Sequence, residues 1–186
     1  MPSALSGWFL PILSNILVTR PLTVSEQQAQ GWTSTELAAD TRNLLHYVRL
    51  LRDGLFLFGM RGGTGLSSRD EVAMKRNVRA SFECLFPAWA HIETPHFWSG
   101  LECLSRNLSA YIGPLEQGQY APLAYHGSGV AMASWAGRQI ADIIAGETEA
   151  LDMPAVLRQP LQPFTLPGFR RHYLKAAYTW YGLKDH

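Results

Sequence analysis

Residues 125–146 read YHGSGVAMASWAGRQIADIIAG, and they hold the spacing best suited to chemistry. Gly127 and Gly129 stand just ahead of a run with helical character. A glycine turn opening a helix presents backbone N–H groups with no acceptor inside the helix, at the positive end of its dipole. Anionic oxygens, or the electron-rich edge of a cofactor ring, can bind there. Glycine lets such a group approach the backbone with no Cβ in the way. The same residues also suit a tight turn that only needs positive φ. The stretch is not a dinucleotide fingerprint, because Met132 replaces the third glycine of GxGxxG, and it is not GxxxxGK[ST]. RGGTG at 61–65 lacks the strand–turn–helix frame such a fingerprint needs.

Other reactive side chains are scattered. The histidines, His46, His91, His96, His126, His172 and His186, form no HxxxH or HExxH pair, and Cys84 and Cys103 form no CxxC, so no metal site is expected. His126 draws notice as the neighbour of the glycine turn, although a partly buried turn histidine has the same signature. No GxSxG elbow and no Ser/His/acid group is present. Arg49, mid-strand beside Tyr47, can clamp a carboxylate or make a surface ion pair. Trp98, ahead of Gly100, can line a flat ring site or fill a core. No residue is singled out as catalytic.

Periodicity defines the elements that must position these groups. WFLPILSNILV (8–18) reads as a buried strand, since no basic segment precedes it and Pro11 and Asn15 interrupt it. NILVTR (15–20) is β-rich and ends at Pro21, while 23–40 has no clear pattern. Asp53-Gly54 between LLHYVRL and LFLFGM predicts a hairpin, with Leu45, Tyr47 and Arg49 on one face and Leu44, His46, Val48 and Leu50 on the other. Ser68 and Glu71 predict a capping box for a helix with Met74, Val78, Phe82 and Leu85 on one stripe, stopped by Pro87. Residues 90–105 are expected extended, with short strands at 111–114 and 119–125.

A helix then runs to Gly146, carrying Gly129, Ala133, Gly137, Ala141 and Ala145 at a four-residue spacing and an Arg138–Asp142 pair. A seam of such small residues allows close approach of another backbone. The proline-rich tail 151–167 should cross the surface, and 168–185 should form a last helix with Leu174, Ala177, Tyr178 and Tyr181 on one face. The class is α+β with an antiparallel or mixed sheet.

The balance of charges excludes some roles. A net charge of +1 carries no nucleic-acid-scale field, and no apolar run reaches the ~18 residues of a membrane span. The cysteines are expected reduced and mostly buried, as in a cytoplasmic protein.

Several stretches, in order, resemble the C-terminal half of FAD-dependent oxidoreductases of the D-amino-acid oxidase/glycine oxidase superfamily, nearest the bacterial γ-glutamylputrescine oxidase branch. They are NILVTRPL (15–22), DTRNLLHYVRLLRDGLFLFGMRGG (40–63), WSGL (98–101) with YIG (111–113), the 125–146 stretch, and AAYTWYGLKD (176–185). This chain departs from the pattern at Met60, Ala110 and Ala121-Pro122.

The resemblance implies residues 1–105 as a substrate-domain portion, 106–150 as the C-terminal segment of an FAD-binding domain, and 151–186 as tail and terminal helix. The N-terminal Rossmann unit is then missing. It also implies that Gly127, Ser128, Gly129 and Val130 lie against FAD, and that Tyr47 and Arg49 face a small amine or amino-acid substrate. The implied reaction is hydride transfer from the α-carbon to flavin, followed by imine hydrolysis and reoxidation by O₂ or another acceptor. A separate N-terminal FAD-domain chain is an implied partner, and a flavin-free fragment or interaction module is the alternative. If the chain is half of a larger fold, the helix 129–145 and the strand 8–18 are expected to expose apolar faces.

Overall fold

The computed structural model describes residues 7–116, 118–147 and 153–185; His186 lies outside them. The order is β1 (Phe9–Val18), α1 (Val24–Gln30), β2 (Ala38–Ala39), β3 (His46–Leu50), β4 (Phe56–Arg61), α2 (Ser68–Leu85), β5 (His96–Ser105), β6 (Tyr111–Glu116), β7 (Gln119–Leu123), α3 (Gly129–Ala145) and α4 (Arg170–Lys184). The fold is α+β, as expected. A five-stranded sheet runs β2-β3-β4-β1-β5, and β6-β7 form a second sheet. The chain divides into two compact units, one built from Ile12–Leu101 and the stretch from Leu174, the other from the stretch up to Pro11 and Glu102–Tyr173.

In the first unit, β4 pairs antiparallel with both β1 and β3. Strand alternation sends Leu17, Val48, Leu50, Phe56 and Phe58 to one face, where Val78 and Phe82 of α2 and the following Phe86, Trp89 and Ile92 complete a core. Phe56 meets the rings of Phe86 and Trp89 edge-on at 4.9 and 4.8 Å, and Trp89 stacks on Phe86 at 5.3 Å. The indole N–H of Trp89 is satisfied by the Glu26 carbonyl at 2.7 Å.

Each helix start has its own chemistry. In the segment that had no readable pattern, Thr23 and Glu26 form a capping box that opens α1. At α2 the box is displaced by one residue from expectation: Ser67 is the N-cap and Asp70 its reciprocal partner, and Ser68 is already helical. Both pairs have the right spacing. The incoming loop selects the first, because Gly65 passes so close to the Asp70 carboxylate that a Cβ there would collide with it.

On the opposite face of this sheet, Tyr47 pairs with Gly59 across β3 and β4. A Cβ at Gly59 would stand 2.1 Å from the Tyr47 ring, so the ring lies directly over glycine backbone. The terminal helix also reaches this sheet's edge: the Asp185 carboxylate accepts from the Asn43 and Leu44 backbone N–H groups at 3.0 and 2.9 Å.

In the second unit, Ile112 of β6 and Ala136 of α3 share a core with Met153, flanked by Tyr125, Trp135, Ile140, Ile143 and Leu157. The proline-rich tail therefore does more than cross the surface. Its Met153 is buried and its Leu157 packs beside it, since these apolar side chains find the α3 face that the small residues leave free. The cysteine expectation is also corrected. Cys84 is exposed and Cys103 half-buried, because the α2 core stripe is taken by Met74, Val78 and Phe82, and Cys103 lies on outer strand β5. Among the described residues, no helix is long and apolar enough to cross a membrane.

Two outcomes test this account. Gly59→Ala should lower stability in urea unfolding by about 1–3 kcal/mol. The loss should largely vanish in a Tyr47→Ala background; an equal loss in both backgrounds would rule out the close approach as its cause. The second concerns Glu26. Hydrogen bonds from Arg20, then from the Thr23 backbone, hold its carboxyl at about 2 against an ordinary 4.5. A depressed carboxylate stabilises fully above the ordinary value and loses that contribution as pH falls through the depressed one. Stability should therefore decline from pH 4.5 toward 2, and Glu26→Gln should flatten that decline.

Candidate functional site

The turn ahead of α3 is a run of left-handed backbone. Ala124, His126 and Gly127 have φ of 57°, 54° and 94°. The Ser128 N–H closes the turn on the Tyr125 carbonyl at 3.0 Å. The helical ladder begins with the Met132 N–H on the Ser128 carbonyl at 3.0 Å, so the N–H groups of Gly129, Val130 and Ala131 precede it. No side chain caps this end, and its first turn holds no acidic residue. Helices α1 and α2, by contrast, close their own ends with capping boxes.

Val130 is 98% exposed, so the head of α3 opens to the outside. Gly127 needs glycine for its φ. Gly129 needs it less, since a Cβ there would meet only the Tyr125 ring at 3.4 Å. This donor set fits one edge of an electron-rich ring or an anionic oxygen. It does not amount to a pyrophosphate cradle, and no GxGxxG supplements it.

His126 turns away from the helix end. Its Nε2 lies 3.2 Å from the Ser105 hydroxyl, and Ser105 is fully buried at the end of β5. That contact anchors the turn to β5. Burial also raises the Tyr125 phenol and Cys103 thiol above their ordinary values.

The sheet residues fall in the other compact unit. Tyr47 is half-buried and its hydroxyl lies 2.6 Å from the Ser14 hydroxyl of β1. Arg49 shares its face but is exposed, and its Nε donates to the Thr35 carbonyl at 3.3 Å. Sequence reading missed Ser14, because only the β1–β4–β3 register brings it to Tyr47. Trp98 is 46% exposed, so it is not a core residue. Among the described residues, no cluster of three metal-ligating side chains occurs.

The small-residue seam of α3 is open as well. Ala133, Gly137 and Ala141 are exposed, Ile144 is 65% exposed, and a Cβ at Gly137 would meet nothing within 4 Å. Of the two faces expected to be uncovered, the helix is so. Strand β1 is not, because Ile12, Leu13 and Leu17 are buried beneath its own sheet's partners.

Known proteins resemble this chain in sequence and in fold. The model of the FAD dependent oxidoreductase family matches residues 5–143. The gamma-glutamylputrescine oxidoreductase of Escherichia coli (strain K12) is 32% identical over 182 residues, covering 95% of this chain and 40% of that protein. A probable oxidoreductase OrdL of Haemophilus influenzae is 31% identical, covering 81% of this chain and 33% of its own length. The chain thus spans about two fifths or less of these relatives. Among solved structures, iminodiacetate oxidase from Chelativorans sp. BNC1 matches with a TM-score of 0.61 at 18% identity, over 87% of this chain and 43% of that one. Glycine oxidase from Geobacillus kaustophilus matches with a TM-score of 0.60 at 16% identity, over 84% and 41%. These two establish likeness of fold.

The turn makes its own prediction. Gly127→Ala should cost about 1–2 kcal/mol in denaturant unfolding, the penalty of a left-handed residue with a Cβ. Gly129→Ala should change stability by less than about 0.5 kcal/mol. Equal costs at both positions would show that the turn does not depend on its φ at Gly127.

Proposed function

The chain belongs to the FAD dependent oxidoreductase family, and on that premise we propose that it is the C-terminal part of an enzyme oxidising a small amine or amino acid. The observation that carries this reading is the uncapped glycine turn at the head of α3, which lies inside the family match. FAD, when bound, supplies the acceptor for a hydride leaving the substrate's α-carbon. The N–H groups of Gly129 and Val130, with Gly127 and Ser128 shaping their approach, favour the negative charge that reduction adds at the ring edge. Tyr47 and Arg49 serve the substrate side: the Ser14 contact orients the Tyr47 hydroxyl, and Arg49 adds positive charge to the same face.

Cofactor binding calls for a second polypeptide region. We propose that an N-terminal FAD domain, on a separate chain or the same one, covers the open seam of Ala133, Gly137 and Ala141. Small side chains there let two backbones approach closely. A flavin-free interaction module is the second reading, favoured by that same exposed seam.

The decisive measurement is the visible absorbance of the purified chain, alone and with an FAD-domain polypeptide, before and after adding FAD. Flavin bands retained in either sample support the oxidoreductase reading. A colourless protein that does not titrate with FAD in either sample leaves the interaction module. Gly137→Leu should leave the chain as stable as before or more so, since leucine favours helix by up to about 1 kcal/mol over glycine. It should nevertheless abolish flavin uptake in the mixed sample. Unimpaired uptake by this variant would remove the seam from the docking face.

A further inference from the structure

Helix α2 turns Met74, Val78 and Phe82 into the core. A second line of its side chains has the i, i+3, i+4, i+7 spacing of a shared helix face: Val72, Lys75, Arg76 and Arg79. That line borders a cleft of about 250 Å³, closed on its other side by Leu17 of β1, Thr94 and Phe97 of β5. All of these residues belong to the first compact unit. Leu17 is buried and Phe97 half-buried, so the floor is apolar, and Val72 adds an exposed apolar rim.

The charge around this floor has one sign. Three cations line the cleft and no carboxylate does. Arg79 is held in place: its Nε donates to the Glu83 carboxylate at 2.6 Å, and its terminal nitrogens donate to the Ile92 and Ala90 carbonyls at 2.6 and 2.5 Å. Glu83 therefore offsets one of the three charges. Lys75 and Arg76 are exposed, and among the described residues no carboxylate forms an ion pair with either. Glu71, one turn before Lys75, borders a separate cleft with Leu13 and Ser99. Two uncompensated positive charges thus stand over an apolar floor.

A bare anion would leave the floor wet, and an uncharged apolar molecule would leave the cations without a partner. We propose that the cleft binds a small phosphate monoester whose ester group is one apolar ring or a short chain. Such a phosphate carries about −1.5 to −2 charge at neutral pH, which balances Lys75 and Arg76. Its oxygens suit the planar fork of Arg76 and the ammonium of Lys75. The ester group covers Leu17, Val72 and Phe97. The volume falls below the roughly 300–1,000 Å³ of sites for larger ligands, so it suits a head and a single ring. The cleft lies on the α2 side of the sheet, opposite Tyr47, and the proposal does not depend on where flavin binds.

Calorimetric titration of the purified chain with phenyl phosphate, inorganic phosphate and benzoate separates the two contributions. Phenyl phosphate should bind more tightly than either of the others, since only it offers both a dianion and a ring. The double variant Lys75→Gln/Arg76→Gln should weaken phenyl phosphate by about 10-fold, the loss of two partly solvated charge contacts. Val72→Ser should narrow the gap between phenyl phosphate and inorganic phosphate. All three side chains are exposed, so both variants should keep the native melting temperature. Absence of phenyl phosphate binding overturns the proposal. So does inorganic phosphate binding as tightly, which would leave a cationic patch only, or benzoate binding as tightly, which would remove the dianion. Unchanged phenyl phosphate affinity in the double variant would move binding elsewhere, as to the head of α3, and also overturns it.

Discussion

The packing of rings between α2 and the large sheet is the constraint on which the first unit rests. Phe56 and Phe58 of β4 meet Phe82, Phe86 and Trp89, and Phe56, Phe58, Phe82 and Trp89 are fully buried. Burial of each such side chain is worth about 1.5–3 kcal/mol, more than an exposed capping pair or surface ion pair supplies. Strand side chains alternate, so locking this face locks the other. A slip of one residue would bury Tyr47 and Arg49 and expose Val48 and Phe58. The aromatic core thus decides which residues the sheet presents outward, though it touches none of them.

The second unit is built on different terms. Its core is small, centred on Ile112, Ala136 and Met153, and it leaves the other side of α3 uncovered. A helix with Val130, Ala133, Gly137, Ala141 and Ile144 facing outward leaves apolar surface in water. The head of the same helix has no side-chain cap.

Much of the fold was legible because local rules act over a few residues. The Asp53-Gly54 hairpin, the Gly146 stop with its φ of 80°, the Arg138–Asp142 pair and the bounds of α3 all depend on near neighbours. Where two local solutions competed, as with Ser67/Asp70 and Ser68/Glu71, sequence spacing could not choose between them. The approach of Gly65 made the choice. The α1 helix escaped notice for a related reason: it is short and polar, and no buried residue marks its face.

By itself the sequence determined which residues could shape a ligand-facing turn, because glycine's access to positive φ and the start of a helical period are properties of a few consecutive residues. It also determined that Tyr47 and Arg49 share a strand face, since alternation needs no partner. Only the tertiary structure decided what those residues meet. Ser14 comes to Tyr47, Thr35 to Arg49 and Glu102 to Gly127 through strand register and chain crossing, over separations of 33, 14 and 25 residues. No pattern in a single sequence encodes such encounters, because they follow from how whole faces are buried and not from the residues that end up in contact.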